Sequence, residues 1–292
     1  MVGGIFYEHT HRMVATLVGL LTIILAFWLW RTEERRWMRI LGFVALGLVV
    51  MQGLLGGLTV LLLLPAAISV SHAAIAQTFF ALVSAIALFT SRWWLERQSQ
   101  PMAGTKSPSV VWLPGLTTVA VFVQLILGAL MRHTDSGLAV PDFPLAYGQI
   151  FPSLSPEALT SYNQLLIQSD IRLAADGPIT AAQIVIHMLH RVWALVVSIM
   201  ILWTSLRLAK LSSVTKRLSR LSYLLALLLL VQLGLGALSV LSVKEVGITT
   251  AHVAAGALVL VTCMLASLHV ISLFGFPSRK PEIVMAAREV TA

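Results

Sequence analysis

The chain is short of cysteine, of charge and above all of acidic charge. Its 292 residues include one cysteine, Cys263, so neither a disulfide nor a thiolate metal site can be assembled within it. Set in a long apolar run, Cys263 reads as a small buried residue. Asp, Glu, Lys and Arg make up 11% of the residues, less than half of the roughly 25% usual in soluble domains, which excludes an ordinary water-soluble fold. What fills the sequence is hydrocarbon: it is 58% hydrophobic, with mean hydropathy +0.90. Seven apolar stretches, at about 13–30, 39–64, 69–91, 109–131, 180–206, 219–243 and 248–275, meet the roughly 20 residues that a helix needs to cross hydrocarbon about 30 Å thick. The first residues are polar and lack an early A-x-A site, so no cleavable leader is expected.

The net charge of +8 would suit a nucleic-acid binder, but its distribution does not. With alternate loops taken as cytoplasmic, 15 of the 20 Lys and Arg residues fall on one side, in the groups Arg31–Arg39, Arg92–Lys106, Arg207–Arg220 and Arg279–Arg288. Only Arg12, Arg132, Arg172, Arg191 and Lys244 fall on the other. The positive-inside rule then places the N-terminus outside and the C-terminus in the cytoplasm of a cell-membrane protein. The basic charge is topological, and no nucleic-acid partner is expected.

Within this apolar chain the histidines repeat. His11-Arg12, Gln52 and His72 recur as His190-Arg191, Gln232 and His252. The step from Gln to the second His is 20 residues in both copies, and that from the first His to Gln is 41 or 42. Each Gln opens a similar segment, Gln52-Gly53-Leu54-Leu55-Gly56-Gly57-Leu58 against Gln232-Leu233-Gly234-Leu235-Gly236-Ala237-Leu238. A third occurrence, Gln124-Leu125-Ile126-Leu127-Gly128-Ala129-Leu130, ends the fourth span. The fold class expected is an all-α integral membrane protein of two tandem pseudo-symmetric bundles. Residues 1–100 form an N-terminal half of three helices, and residues 101–292 a C-terminal half of four. The first copy lacks a counterpart of the fourth span, so either the coding start lies further upstream or that helix has been lost. The small residues of the repeated segment either allow helix backbones to approach or underlie a flat cofactor.

Between the fourth and fifth spans lies an outer loop, about 133–177, too long for a plain connector. Its Pro and Gly content breaks regular structure near its start. The stretch from Ser155 or Pro156 to about Ala175 reads as a short amphipathic helix over the outer face.

By this topology His9, His11, His72, His133, His187, His190 and His252 fall at or near outer helix ends, and only His269 falls toward the cytoplasmic end. Histidine within a span is costly and usually functional. Two neutral imidazoles on facing helices are a natural axial pair for a haem iron, which gives two metal sites, His11 with His72 and His190 with His252. A neighbouring guanidinium, Arg12 or Arg191, suits a haem propionate, unless it is an interfacial side chain reaching for water. Gln52 and Gln232 complete the cofactor-binding set. Zinc is the alternative ligand, and it would want a third or fourth protein donor in a tighter cluster. The copies differ at one place. Glu8 precedes His11 by three residues, and His187 precedes His190 by the same step, which puts each on its histidine's helix face. A carboxylate beside an iron centre can accept a proton or hold a cationic intermediate, so Glu8 is the catalytic candidate and the first site the reactive one. The alternative for Glu8 is an acidic residue favoured by a helix N-terminus.

Glu8-x-x-His11-Arg12, the Gln52 to Thr59 segment, His72-x-x-x-Ala76-Gln77, His190-Arg191 and His252 resemble the haem A synthase family. So does the loop Arg132-x-Thr134-x-Ser136-Gly137-Leu138, continued by Pro141-Asp142-x-Pro144. The likeness runs from about residue 5 to 275. It implies two four-helix halves and oxidation of a methyl group of haem O to the formyl group of haem A. It further implies that His11, His72 and Glu8 hold haem O as substrate, while a haem b between His190 and His252 relays electrons. The partners it implies are haem O, the haem O synthase (a protohaem farnesyltransferase), the cytochrome oxidase assembly machinery and membrane lipid. The electron acceptor is not identified, and a homo-oligomer is left open. Some members carry a cysteine pair in an outer loop; here Ala139 or Val140, and Ala146, stand there. Two other functions are compatible with the histidines alone: a dihaem cytochrome acting only in electron transfer, and a haem transporter or chaperone.

Overall fold

A computed structural model describes the backbone of residues 2–62, 65–98, 108–171, 177–211 and 215–275, and the side chains of these apart from residues 2–8, 98, 108 and 109. Nine α-helices occupy most of the described residues: α1 (Val2–Thr32), α2 (Arg36–Leu61), α3 (Ala66–Phe89), α4 (Arg92–Gln98), α5 (Pro108–His133), α6 (Pro156–Gln168), α7 (Ala181–Ala209), α8 (Lys216–Leu241) and α9 (Val246–Phe274). The seven long ones are each long and apolar enough to cross a membrane. The protein is a multi-pass helical membrane protein.

Helices prevail because in hydrocarbon every backbone polar group must find its partner within the chain, and an α-helix does this locally. The apolar-run criterion therefore marks cores and misses ends. The first run was expected to begin near residue 13, whereas α1 starts at Val2 and carries the polar His9–Arg12 stretch as helix. Starts are fixed by side chains that accept from otherwise unpaired N–H groups. Thr180 and Gln183 form a capping box on α7, and Glu245 accepts from the amides of Gly247 and Ile248 at α9. Those two bonds hold the Glu245 carboxyl below its ordinary pKa.

Packing follows the chain closely. Helices α5, α7, α8 and α9 close a four-membered ring (α5 on α7, α7 on α8, α8 on α9, α9 on α5), whereas α1, α2 and α3 form an open row that joins the ring through α3, against α5 and α9. Helix α9 is the hub, and it presents Ala255, Gly256, Val259, Leu260, Cys263, Ala266, Ser267 and Val270 as its buried side. Val261, Thr262 and His269 are buried as well, so α9 is covered on more than one face, as its contacts with α3, α5 and α8 require. Hydroxyl pairs stitch the ring's interior. Thr117 meets Thr204 at 2.8 Å, and Ser205 and Ser222 each donate to the other's backbone carbonyl, at 2.7 and 2.8 Å. Trp193 donates to the Ala120 carbonyl.

Helix α4 was not expected. It lies after α3, at the end of the molecule opposite the histidine pairs. There Trp93 stacks on His269 with ring centres 4.3 Å apart, the Arg217 guanidinium lies over the Trp93 ring at 4.7 Å, and Arg97 donates to the Leu273 carbonyl. At the same end Arg35 grips both carboxylate oxygens of Glu33 and donates to the Phe89 carbonyl, tying the α1–α2 turn to the end of α3. The helix expected to reach about Ala175 stops at Gln168: Asp170 adopts a left-handed conformation, φ 54°, which ends it before residues 172–176, outside the described residues. The half boundary expected near residue 100 likewise lies in 99–107, outside the described residues.

Candidate functional site

The repeat arithmetic becomes depth in the fold. His11 and His190 are each the tenth residue of their helices, α1 and α7, and His72 and His252 each the seventh, in α3 and α9. At 1.5 Å per residue this sets them about 14 and 9 Å from the helix starts. Gln52, Gln124 and Gln232 each stand nine residues before the last residue of α2, α5 and α8. All seven residues therefore occupy one end of the molecule. His11 lies within electrostatic reach of His72, and His190 within reach of His252. His133, the last residue of α5, lies within reach of His72 across the α3–α5 contact, a neighbour that the repeat did not announce.

The glutamines act on the backbone of the histidines. Gln52 Nε2 donates to the His72 carbonyl at 3.0 Å, and Gln124 Nε2 donates to the His190 carbonyl at 3.1 Å. The Gln124 amide nitrogen also lies 3.2 Å from each ring nitrogen of His190. The Gln232 amide nitrogen lies instead against Gly256, 3.2 Å from where a Cβ would stand. Four residues after each glutamine a glycine faces a ring. A Cβ at Gly56 would stand 3.4 Å from His72 Cε1, one at Gly128 3.2 Å from His190 Cε1, and one at Gly236 3.1 Å from His252 Cε1. Of the three helices, only α2 and α8 had been assigned to the site from sequence. Gln124 and Gly128 belong beside them, and the third occurrence of the pattern was the signal that could have found them.

His187 and Arg191 form a second cluster above the ring. His187 is buried, with Nδ1 donating to the Ser136 carbonyl at 2.9 Å and Nε2 accepting from Arg191 Nε at 2.9 Å. Both ring nitrogens are thus committed in the neutral Nδ1–H form. The Arg191 guanidinium donates further to the carbonyls of Val140, Asp142 and Leu145, at 3.2, 2.7 and 2.9 Å. It holds the loop after α5 down on α7. Within that loop the Asp142 carboxylate accepts from the amides of Tyr147 and Gly148. Tyr147 stacks on Tyr162 of α6 at 3.6 Å, and burial together with the Asp142 charge pushes its hydroxyl pKa up. Ala139, Val140 and Ala146 are fully buried in the small core beneath.

Glu8 lies on the α1 backbone, but its side chain is outside the described residues. His11 and Arg12 are exposed on α1; Arg12 nonetheless has an interaction partner. His9 is exposed as well.

The donor set suits a haem better than a bare ion. Among the described residues no group of three or more His, Cys, Asp or Glu is placed to hold a metal ion, so zinc finds no third protein ligand there. Among the described residues the buried Oε1 atoms of Gln52, Gln124 and Gln232 lack hydrogen-bond partners. Buried polar atoms are rarely left so without a group to meet them.

These features define a class: a multi-pass helical membrane protein carrying two histidine pairs at matched positions of its helices, near one end. Residues 3–265 match the sequence model of the cytochrome oxidase assembly protein family, and the chain belongs to that family. Among curated proteins it is similar to the heme A synthase of Alkalihalophilus pseudofirmus, 33% identical over 148 residues, 50% of this chain and 49% of that protein. It is similar also to that of Halalkalibacterium halodurans, 34% identical over 155 residues, 51% and 49%. A third is that of Beijerinckia indica, 31% identical over 162 residues, 53% and 43%. The matched segment spans about half the length of these relatives.

Proposed function

We propose that the protein is a haem A synthase that oxidises a methyl group of haem O to the formyl group of haem A for terminal oxidases. The observation that carries the reading is the pair of histidine pairs at equal helix depths, in a chain of the cytochrome oxidase assembly family similar to proteins named heme A synthase. His11 and His72 hold haem O as substrate, and His190 and His252 hold a resident haem b. A bis-histidine haem supplies one-electron transfer at a saturated iron. Glu8, one helical turn before His11, takes protons released as the methyl carbon is oxidised. Arg12 and Arg191 face the propionates. Four of the five Arg191 N–H groups already serve His187 and the loop carbonyls, so one remains for that role. Gln52 and Gln232 border the two sites.

The division into an N-terminal substrate half, 1–100, and a C-terminal haem b half, 101–292, belongs to the same proposal. So does a place in the cell membrane with the histidine end outside, the C-terminus in the cytoplasm, and haem O handed on from a haem O synthase. Expression in cells that make haem O, followed by pigment extraction, tests the activity: haem A should accumulate. Glu8→Ala should abolish formyl production, by 100-fold or more, while haem stays bound. Normal haem A output from that variant would remove Glu8 from the mechanism. Bound haem with no haem A from the unsubstituted chain would favour an electron-transfer cytochrome. Weak, reversible occupancy would favour a transporter or chaperone.

A further inference from the structure

We propose that the Gln-x-x-x-Gly element is a histidine seat, which makes Gln52, Gln124, Gly56, Gly128 and Gly236 positioning residues that set the ring orientation of His72, His190 and His252. This rests on the reading that these histidines bind haem.

The seat has two parts. A glutamine holds the histidine's backbone, as Gln52 does for His72 and Gln124 for His190. One turn on, a glycine offers no Cβ where the ring's Cε1 edge lies. Small residues in membrane helices ordinarily serve close helix packing, and within the same segments this alternative can be examined directly. Gly53, Gly57 and Gly234 lie on the same helices, and a Cβ added at any of them would meet nothing within 4 Å. Gly56, Gly128 and Gly236 are set apart because what they meet in each case is a histidine ring. Contacts of 3.1 and 3.2 Å are tighter than nearly all real Cβ contacts, so with alanine at Gly236 or Gly128 the ring must give by a few tenths of an ångström. At Gly56, 3.4 Å is ordinary van der Waals contact and the displacement is smaller.

The geometry also assigns each seat to a site. Gly128 and Gly236 seat the two ligands of one pair, His190 and His252, and Gly56 seats His72 of the other. Among the described residues no glycine stands against His11.

The test uses the full chain purified with its haems, comparing seven single substitutions by haem content and by the low-spin electron paramagnetic resonance g-values. Those g-values report the angle between the two axial imidazole planes. Gly236→Ala and Gly128→Ala should shift the same haem signal and lower its occupancy at least threefold, and Gly56→Ala should shift the other signal by less. Gly53→Ala, Gly57→Ala and Gly234→Ala should leave both signals as they are. Gln124→Leu adds no bulk, and it should broaden the signal that Gly128→Ala shifts, even where that alanine chain fails to accumulate. Unchanged g-values in the seat variants and Gln124→Leu, or equal shifts in all six glycine variants, would overturn the seat with the haem reading intact. A purified unsubstituted chain without any low-spin signal would overturn the haem reading and the seat together.

Discussion

At the scale of single residues, equal places in a repeat do unequal work. Glu8 and His187 stand at the same step before a histidine, yet His187 has both nitrogens committed, one to the Ser136 carbonyl and one to Arg191. It is a latch between α7 and the loop. His187→Ala would strand a buried carbonyl and a guanidinium donor, a loss of about 1–3 kcal/mol. The expected outcome is a lower thermal midpoint and faster proteolysis between residues 139 and 150, with the low-spin haem spectrum retained. The Glu33–Arg35 pair makes a pH prediction. The Arg35 guanidinium lowers the Glu33 carboxyl to about 2 from an ordinary 4.5, so the folded state holds its proton less tightly than the unfolded chain. The stabilisation is fully present above pH 4.5 and disappears as pH falls toward 2. Thermal unfolding in detergent across that window should show an acid-side loss that Glu33→Gln reduces. The histidines themselves were legible, because an imidazole in hydrocarbon needs a reason. The hold of Arg191 on the loop was not: its partners are backbone carbonyls, which leave no mark in a sequence.

At the scale of elements, the seven spans were legible from length and hydropathy, and their ends were not. The short α4, Arg-Trp-Trp-Leu-Glu-Arg-Gln, is under two turns, too brief for a period to show; it forms where Trp93 and Arg97 find His269 and the Leu273 carbonyl. The overrun of α6 has the opposite cause, since an amphipathic pattern carries no sign of a left-handed residue at Asp170. The glycines show the same limit: Gly53, Gly56 and Gly57 read alike, and only the neighbouring helix distinguishes Gly56 from the other two. Between α7 and α8 the reciprocal Ser205–Ser222 bonds are buried. Interhelical hydrogen bonds in membranes average about 0.6 kcal/mol. Replacing both serines with alanine should therefore cost about 1 kcal/mol, read as a lower midpoint in detergent unfolding, with haem content preserved.

At the scale of the whole molecule, charge asymmetry and helix count yield an orientation open to chemical mapping. Cys263 is fully buried, so the natural chain gives a nearly blank background for thiol labelling. Gln149→Cys should react with an impermeant maleimide in intact cells, and Glu34→Cys only after the membrane is breached. The reverse pattern would invert the topology. The open row of α1–α3 beside the closed ring of α5, α7, α8 and α9 bears on residence time. On the proposed function, one haem must be released and another, built on the same porphyrin core, retained. His190 and His252 each have a ring edge held by a glycine, whereas His11 stands exposed on α1. Labelled haem added outside should thus exchange into the His11–His72 site within minutes, while the haem on His190 and His252 stays through many turnovers. That exchange would set the rate at which the His11–His72 site can be refilled.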